Sequence, residues 1–408
     1  MADPSEPLKT PLYDKHVAME AKMADVAGWL MPLSYQGVLD EVREVRQRAG
    51  VFDACCMGRI RVRGDGALTL LERACTHDVA HQEDDTAIET LLLNERGGII
   101  DLCRLVRLES FWVVVTSALN REKVLAHLQA LAAELGGAAK VDDQTQKTGM
   151  VAVIGPAAGG ILDKVLPERV SQLPPTAARL GSFMLANYIV MRAARAGLWE
   201  LDVVLPNLFM GQAWRFITQK AGESSIRPAG MAALDVLRIE AGQCAYGHEI
   251  NETIDPFTAG LGDLVAMNHD FVGADAVNPL SERTAARQRV GIILDPVGGL
   301  SQDQTIDQAN SAERQASADA QADNDAGLPL GAVGSTIIPR QGAVVLRSDG
   351  TEAGVLTSGT FSPTLDRAIA MAYVASDAAV PDTRIVVLEG DARMPGKIAA
   401  LPFVPVNS

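Results

Sequence analysis

Asp101 is a candidate for acid–base or electrostatic chemistry. It follows the turn 94–98 (NERGG) and two apolar residues. Glycines tolerate positive φ, so this turn favours a tight hairpin. A strand that leaves such a hairpin can direct a side chain into a cavity, where a carboxylate can stabilise positive charge on a nearby nitrogen. From the residue type alone, a solvated aspartate beside a turn is the favoured interpretation, because Asp is mostly exposed in proteins.

The cysteines and histidines predict no metal site. None of the five cysteines forms a C-x-x-C pair, and the six histidines are dispersed without ligand spacing. This pattern favours a reducing compartment. The vicinal residues Cys55 and Cys56 could form a thiol switch, but Asp53 would raise the pKa of both thiols rather than lower it. We therefore expect them to be buried as small hydrophobic residues.

The composition is that of a globular protein and excludes several classes of function. The chain has 408 residues, of which 48% are hydrophobic and 21% charged, with a formal net charge of −15. Nucleic-acid or anionic-membrane binding needs a basic footprint, so neither is expected. No apolar run reaches the length of a membrane span, and the N-terminal residues lack the pattern of a secretory signal. The sequence thus predicts a cytoplasmic protein.

The elements that must position Asp101 are predicted from hydrophobic periodicity. A strand–helix–strand–strand–helix order across 57–140 predicts an α+β subdomain with an antiparallel sheet. Its predicted elements are strand 59–63, helix 67–76, a hairpin of 91–93 and 99–106, strand 111–116 and helix 120–135.

The rest of the chain divides into a second α+β part and an all-β module. Short apolar runs between turns after residue 289 predict the all-β module. Within it, residues 301–327 are rich in Ala, Asp and Gln, so we predict a disordered insertion. The remaining predicted elements are helices 38–49, 207–221 and 229–241, strand 150–155 leading into a helix at Pro156, and two strands within 183–205.

Ten strings of unusual sequence occur in order along almost the whole chain. They are 9–13 (KTPLY), 27–33 (AGWLMPL), 50–53 (GVFD), 57–59 (MGR), 93–101 (LNERGGIID), 237–242 (LRIEAG), 246–250 (YGHEI), 259–262 (AGLG), 357–365 (TSGTFSPTL) and 401–404 (LPFV). Together they resemble the aminomethyltransferase (T-protein) family of the glycine cleavage system.

The resemblance implies a fold and a reaction. The implied fold is α+β, with two α+β subdomains around a central folate channel (1–284) and a C-terminal antiparallel β-barrel (285–408). In the implied reaction a lipoylated H-protein presents an aminomethyl group. N5 of tetrahydrofolate attacks its carbon, the lipoyl sulfur leaves, ammonia is released and methylene-tetrahydrofolate forms.

The resemblance also implies the site residues. Asp101 occupies the place of the catalytic carboxylate. Glu200 occupies the place of the glutamate that clamps the pterin, where a carboxylate can accept two N–H bonds from an aminopyrimidine edge. Asn94, Met57 and Tyr246 are the further expected folate contacts. For Arg238 and Glu240 we expect structural salt bridges rather than catalysis.

Several departures from the family pattern lie at the expected ligand site. Leu102 stands where the family has a second aspartate, Ile88 where it has a tyrosine and Leu234 where it has a folate-facing arginine. Ala193 begins a changed stretch before Glu200. Two alternatives therefore stay open beside the aminomethyltransferase. One is a folate-dependent demethylase of a small methylated compound, and the other is a non-catalytic binding protein of the same fold.

Overall fold

The computed structural model describes residues 6–164, 166–183, 186–193, 197–220, 226–296, 332–333 and 336–405. The predicted disordered insertion 301–327 lies outside the described residues. The described part is a mixed α+β structure that ends in a closed β-barrel, which confirms the predicted fold class. In this part, no helix combines the length and apolar character that a membrane crossing requires.

The N-terminal segment contributes a small sheet and the first strand of the main sheet. Helix α2 forms because Val38, Val42 and Val45 repeat at helical spacing and are buried, while charged residues face outward. The elements are β1 (Leu8–Lys9), α1 (Tyr13–Ala18), β2 (Lys22–Val26), β3 (Trp29–Ser34), α2 (Val38–Gln47) and β4 (Gly50–Asp53).

The next segment forms a five-stranded antiparallel sheet in the order β6-β7-β8-β5-β9. Its elements are β5 (Gly58–Arg63), α3 (Ala67–Ala74), β6 (Thr86–Leu93), β7 (Ile99–Leu108), β8 (Phe111–Thr116), α4 (Arg121–Glu134) and β9 (Lys140–Asp143). The predicted hairpin is present as β6 and β7. In β5 the expected alternation fails at Arg59, which is buried because its guanidinium donates to the carbonyls of Cys55, Thr145 and Thr148.

The third segment completes a six-stranded sheet in the order β11-β12-β13-β10-β4-β14. Both predicted strands of 183–205 are present, as β12 and β13. The elements are β10 (Thr148–Ile154), α5 (Ala158–Leu162), β11 (Ala178–Phe183), β12 (Ala186–Ala193), β13 (Glu200–Pro206), α6 (Asn207–Arg215), β14 (Arg227–Pro228) and α7 (Met231–Glu240).

The C-terminal part closes into an antiparallel barrel in the order β15-β20-β19-β18-β21-β22. Alternate residues of these strands fill its interior with small and branched side chains. The elements are α8 (Ala274–Val277), β15 (Arg287–Leu294), β16 (Ala332–Val333), β17 (Thr336–Ile337), β18 (Val344–Arg347), β19 (Glu352–Ser362), β20 (Arg367–Ala375), β21 (Arg384–Glu389) and β22 (Ala392–Ala399).

Hydroxyl groups of the barrel bind two buried salt bridges of the preceding part of the chain. Arg238 of α7 donates to Glu249 at 2.7 Å, and the same carboxylate accepts hydrogen bonds from Thr357 and Ser358 of β19. Glu240 pairs with Arg46 of α2 and accepts a hydrogen bond from Ser362. Arg238 and Glu240 are therefore structural, as predicted, although each pairs with a different partner rather than with the other.

Candidate active site

The two sheets face each other across a shared apolar cluster. On β7, Val106 and Leu108 belong to this cluster, and on β13 Val204 does, together with Ala152 of β10 and Met191 of β12. Because side chains alternate along a strand, the even-numbered residues of β13 and those of β7 from Leu102 onward point to this side. We call the region between these two faces the intersheet interface.

A buried ion pair crosses the intersheet interface. Nη1 of Arg104 on β7 lies 2.5 Å from Oδ2 of Asp202 on β13, and their side chains are 9% and 0% exposed. Each residue lies two positions from a member of the apolar cluster, Val106 on one strand and Val204 on the other. A buried ion pair of this kind fixes the relative position of β7 and β13, because either charge alone would be strongly unfavourable there.

Glu200 continues the same face of β13. It lies two residues from Asp202, on the side away from Val204, and it is fully buried. Nη1 of Arg192 donates to the Glu200 carbonyl at 2.9 Å, and the Arg192 guanidinium lies 4.4 Å from the centre of the Trp199 ring. These contacts hold the start of β13, and strand alternation places the Glu200 carboxylate on the interface face.

Asp101 lies on the opposite face of β7 from Arg104. Its carboxylate accepts hydrogen bonds from the Ser117 backbone N–H at 2.8 Å, from Asn120 Nδ2 at 3.2 Å and from the Cys103 thiol at 3.5 Å. The side chain is 1% exposed, and this burial raises the pKa of Asp101 despite the donors around it. Its catalytic role stays a prediction, and its observed contacts fix the turn 117–120.

Leu102, which follows Asp101 in β7, points to the interface side of the sheet. It is half-buried and packs against a cluster that includes Ile99, Leu91 and Phe271, with Tyr246 at its edge. The cross-strand partner of Leu102 is Leu91, which has the same facing. At this level of β7, the face shared with Arg104 is therefore apolar.

Asn94 and Tyr246 lie on either side of Glu252. The Asn94 side chain accepts hydrogen bonds from the N–H groups of Arg96 and Gly98 and donates to the Glu252 carbonyl at 3.0 Å. Tyr246 donates to the Glu252 carboxylate at 3.4 Å and accepts from Lys123 at 3.1 Å. These two predicted site residues are brought together around one loop, and the side-chain groups of Asn94 are engaged in holding its turn.

Met57, Leu234 and Ile88 occupy apolar positions. Met57 and Leu234 are half-buried at the edge of the intersheet apolar cluster. Ile88 packs on the other face of its sheet, against the cluster that contains Leu105 and Cys103. The structure thus places Met57 and Leu234 near the same cluster, whereas Ile88 points away from the interface.

No reactive thiol or metal cluster is found in the described residues. All five cysteines are free, and all but Cys244 are buried. Burial raises the pKa of the Cys55 thiol well above its usual value, and Asp53 adds to this rise, as the sequence predicted. Three or more metal-ligating side chains do not come together anywhere in the described ranges.

Sequence reasoning missed two charged residues of the interface, namely Arg104 and Asp202. Arg104 and Asp202 form the ion pair, and Glu89 is the cross-strand partner of Arg104. A signal was present, because two charged residues interrupt apolar runs in strands that are otherwise buried. Charged side chains are rarely fully buried unless paired, so each predicts a partner across the fold.

Two family models match this chain. The GCVT N-terminal domain matches residues 12–269, and the glycine cleavage T-protein C-terminal barrel domain matches residues 327–405. The chain therefore belongs to the glycine cleavage T-protein family, which confirms the resemblance seen in the sequence.

Several relatives of this chain are named aminomethyltransferases. The chain is 32% identical to the aminomethyltransferase of Chlorobium phaeovibrioides over 97% of this chain and 98% of that protein. It is 33% identical to that of Thermus thermophilus, over 98% and 99% respectively. The solved glycine cleavage system aminomethyltransferase T from Bartonella henselae matches with a TM-score of 0.80 at 28% identity, with 98% of each chain covered.

The domain boundaries at 57, 140 and 284 stay predictions.

Proposed function

We propose that this chain transfers a one-carbon unit from the aminomethyl-lipoyl group of an H-protein to tetrahydrofolate, with release of ammonia. Full-length similarity to aminomethyltransferases supports the reaction class. The observation that carries the folate part is Glu200, a fully buried carboxylate at the end of β13 on the intersheet interface.

Glu200 suits the recognition of a pterin. A carboxylate can accept two parallel N–H bonds from an aminopyrimidine edge, and such charge-assisted pairs are stronger than neutral ones. The low-dielectric surroundings of a fully buried carboxylate strengthen such bonds further. The Arg104–Asp202 ion pair and the Arg192 contact hold the strand on which this group sits. We propose Glu200 as the pterin clamp.

The proposed reaction proceeds by two successive displacements at the transferred carbon. The N5–carbon bond forms as the carbon–sulfur bond breaks, and the lipoyl sulfur takes up a proton. The carbon–nitrogen bond of the aminomethyl group then breaks as N10 closes onto the same carbon, and ammonia leaves with the second proton. Positive charge develops on nitrogen in both steps, so a carboxylate close by lowers the barrier.

Three further residues take more modest roles in this proposal. Met57 offers a half-buried apolar surface beside the interface, and Tyr246 offers a ring and a hydroxyl. The side chain of Asn94 is engaged in its turn, so we propose that it acts by shaping the loop around Glu252. The sequence predicts Asp101 as the catalytic carboxylate, and this assignment stays a prediction.

The apolar substitutions predict weak folate binding. Each hydrogen bond to a charged group contributes about 1.5–3 kcal/mol. Leu102 and Leu234 stand where the family has an aspartate and an arginine, so two such bonds are missing. At about 1.4 kcal/mol for each tenfold, the dissociation constant rises by two or more powers of ten.

Calorimetric titration of the full chain with tetrahydrofolate tests the proposal. We expect saturable binding with a dissociation constant between micromolar and millimolar values. Glu200→Gln should weaken it by about 10- to 100-fold, since one charge-assisted pair is lost. Glu95→Gln, in an exposed turn, is the matched control and should bind like the wild type. Absence of saturable binding up to millimolar tetrahydrofolate would contradict the proposal.

A further inference from the structure

We infer that Cys103 is a positioning residue for Asp101: its thiol donates to the carboxylate, fixes the orientation of that group and keeps it ionised. This role rests on the proposed function, for which the sequence predicts Asp101 as the catalytic carboxylate. Cys103 lies on β7 two residues after Asp101, outside the family-like strings of the sequence.

Strand β7 places the thiol of Cys103 beside the carboxylate of Asp101. Only one residue separates the two, so their side chains point to the same face of the sheet. The Cys103 Sγ atom lies 3.5 Å from Oδ2 of Asp101, and each residue is 1% exposed. A thiol is a weak donor, but at this buried position solvent does not compete for the carboxylate oxygen.

The three donors to Asp101 are divided unequally between its two oxygens. Oδ2 accepts from the Ser117 N–H at 2.8 Å and from the Cys103 thiol. Oδ1 accepts from Asn120 Nδ2 at 3.2 Å. Each carboxylate oxygen offers about two lone-pair sites, so Oδ1 has room for one further donor. Cys103 and Ser117 thus anchor one oxygen, and the other can meet an N–H group or positive charge developing on nitrogen.

The thiol and the carboxylate hold each other in the protonation states that this role needs. Burial raises the pKa of the Cys103 thiol well above its ordinary value, and the Asp101 carboxylate raises it further, so the thiol keeps its proton and donates. Burial also raises the pKa of Asp101, but the hydrogen bonds from Ser117, Asn120 and Cys103 oppose that rise. Cys103 therefore favours the ionised carboxylate, which is the form that stabilises positive charge.

The groups packed around this face leave the thiol a clear part in the ionisation of Asp101. In the described part of the chain, neutral donors alone hydrogen-bond to the carboxylate. The cross-strand partners on β6 are Leu92 and Thr90, neither of which is titratable. Cys75, after α3, lies within electrostatic reach of Cys103, but burial raises the pKa of its thiol to about 12, so it is neutral as well.

The pH dependence of kcat/KM in three variants of the full chain tests the inference. Cys103→Ala removes a donor to the ionised form and so raises the pKa of Asp101. The acid limb of the profile should therefore move to higher pH by about 0.5–1. Cys103→Ser keeps a donor and should bring the limb back toward its wild-type position.

Cys75→Ala is the matched control. Cys75 is a fully buried thiol of the same apolar cluster as Cys103, and none of its described contacts is a hydrogen bond to Asp101. Cys75→Ala and Cys103→Ala should therefore lower the melting temperature to a similar extent. Only Cys103→Ala should move the acid limb, because a loss of packing alone does not change the donors of Asp101.

Infrared spectroscopy of the full chain without substrate follows the same carboxyl group directly. The band of protonated Asp101 is assigned by its absence in Asp101→Asn. On acidification this band should appear at a higher pH in Cys103→Ala than in the wild type or in Cys75→Ala.

The outcomes separate this inference from the proposed function. If Cys103→Ala leaves the acid limb in place, if Cys75→Ala moves it equally, or if Cys103→Ser does not bring it back, the inference is wrong and the proposed function stands. If the wild type forms no product from tetrahydrofolate and a loaded H-protein, the proposed function fails, and the part of Cys103 in catalysis fails with it. An infrared band that Cys103→Ala does not move refutes the contact's effect on Asp101 whether or not product forms.

Discussion

Asp101 and Glu200 are both buried carboxylates, but their surroundings differ. Asp101 accepts hydrogen bonds from three donors of its own subdomain and lies on the face of the five-stranded sheet opposite to the interface. Glu200 lies on the interface side of the six-stranded sheet, beside the ion pair of Asp202. The residue types were readable in the sequence, whereas the direction in which each side chain points was not.

Removal of the Asp101 side chain should destabilise the protein. Asp101→Ala leaves the Ser117 N–H and the Asn120 amide buried without their acceptor, at a cost of about 1–3 kcal/mol for each such group. Asp101→Asn should recover much of this loss because it keeps one acceptor oxygen. Urea unfolding checks both variants against Asp65→Ala, an exposed aspartate whose removal should be neutral. An unchanged unfolding free energy in Asp101→Ala would show that the turn 117–120 does not depend on this carboxylate.

At the scale of elements, the position of one β-bulge decides which side chains face the site. In the hairpin, Leu92 pairs with Asp101 and Leu93 with Ile99, so Ile100 is the extra residue. Apolar runs and a glycine turn predicted the hairpin itself, because turn chemistry is local. The bulge could not be predicted, because its position depends on how both faces of the hairpin pack. One extra residue reverses the side of the sheet to which every following side chain points.

The ion pair between β7 and β13 should show strong energetic coupling. Arg104→Met and Asp202→Asn each remove one charge of a buried ion pair, which costs about 3–5 kcal/mol. The double variant should cost clearly less than the sum of the two, with a coupling of about 1–3 kcal/mol. A double-mutant cycle in urea unfolding measures this value. Additive effects of the two substitutions would mean that the sheets are not joined by this contact.

At the scale of the whole molecule, much of the family-like sequence serves to join the barrel to the sheets. The string 246–250 supplies Glu249, and the string 357–365 supplies Thr357 and Ser358. The hydroxyl groups of these two residues donate hydrogen bonds to the Glu249 carboxylate. The barrel was predictable from its short apolar runs and turns. Its docking was not, because Glu249 and Ser358 are more than a hundred residues apart in sequence.

Barrel docking should weaken in acid through Glu249. Burial alone would raise the pKa of Glu249, but Arg238, the hydroxyl of Ser358 and the other donors lower it below the ordinary 4.5. A carboxyl whose pKa is lower in the folded state stabilises the fold fully above 4.5, and this contribution is lost as pH falls below that value.

Melting temperatures recorded across this acid range check the prediction. Glu249→Gln should be less stable than the wild type at neutral pH and should lose less on acidification. Glu352→Gln, an exposed residue of the barrel, is the control and should follow the wild-type curve. Parallel curves for wild type and Glu249→Gln would show that another group governs acid stability.

Product formation by the wild type from an aminomethyl-loaded H-protein and tetrahydrofolate tests the proposed reaction directly. We expect methylene-tetrahydrofolate and ammonia in equal amounts, with a high KM for tetrahydrofolate because Leu102 and Leu234 replace charged family residues. No product at saturating tetrahydrofolate, or one-carbon transfer only from a small methylated donor, would contradict it.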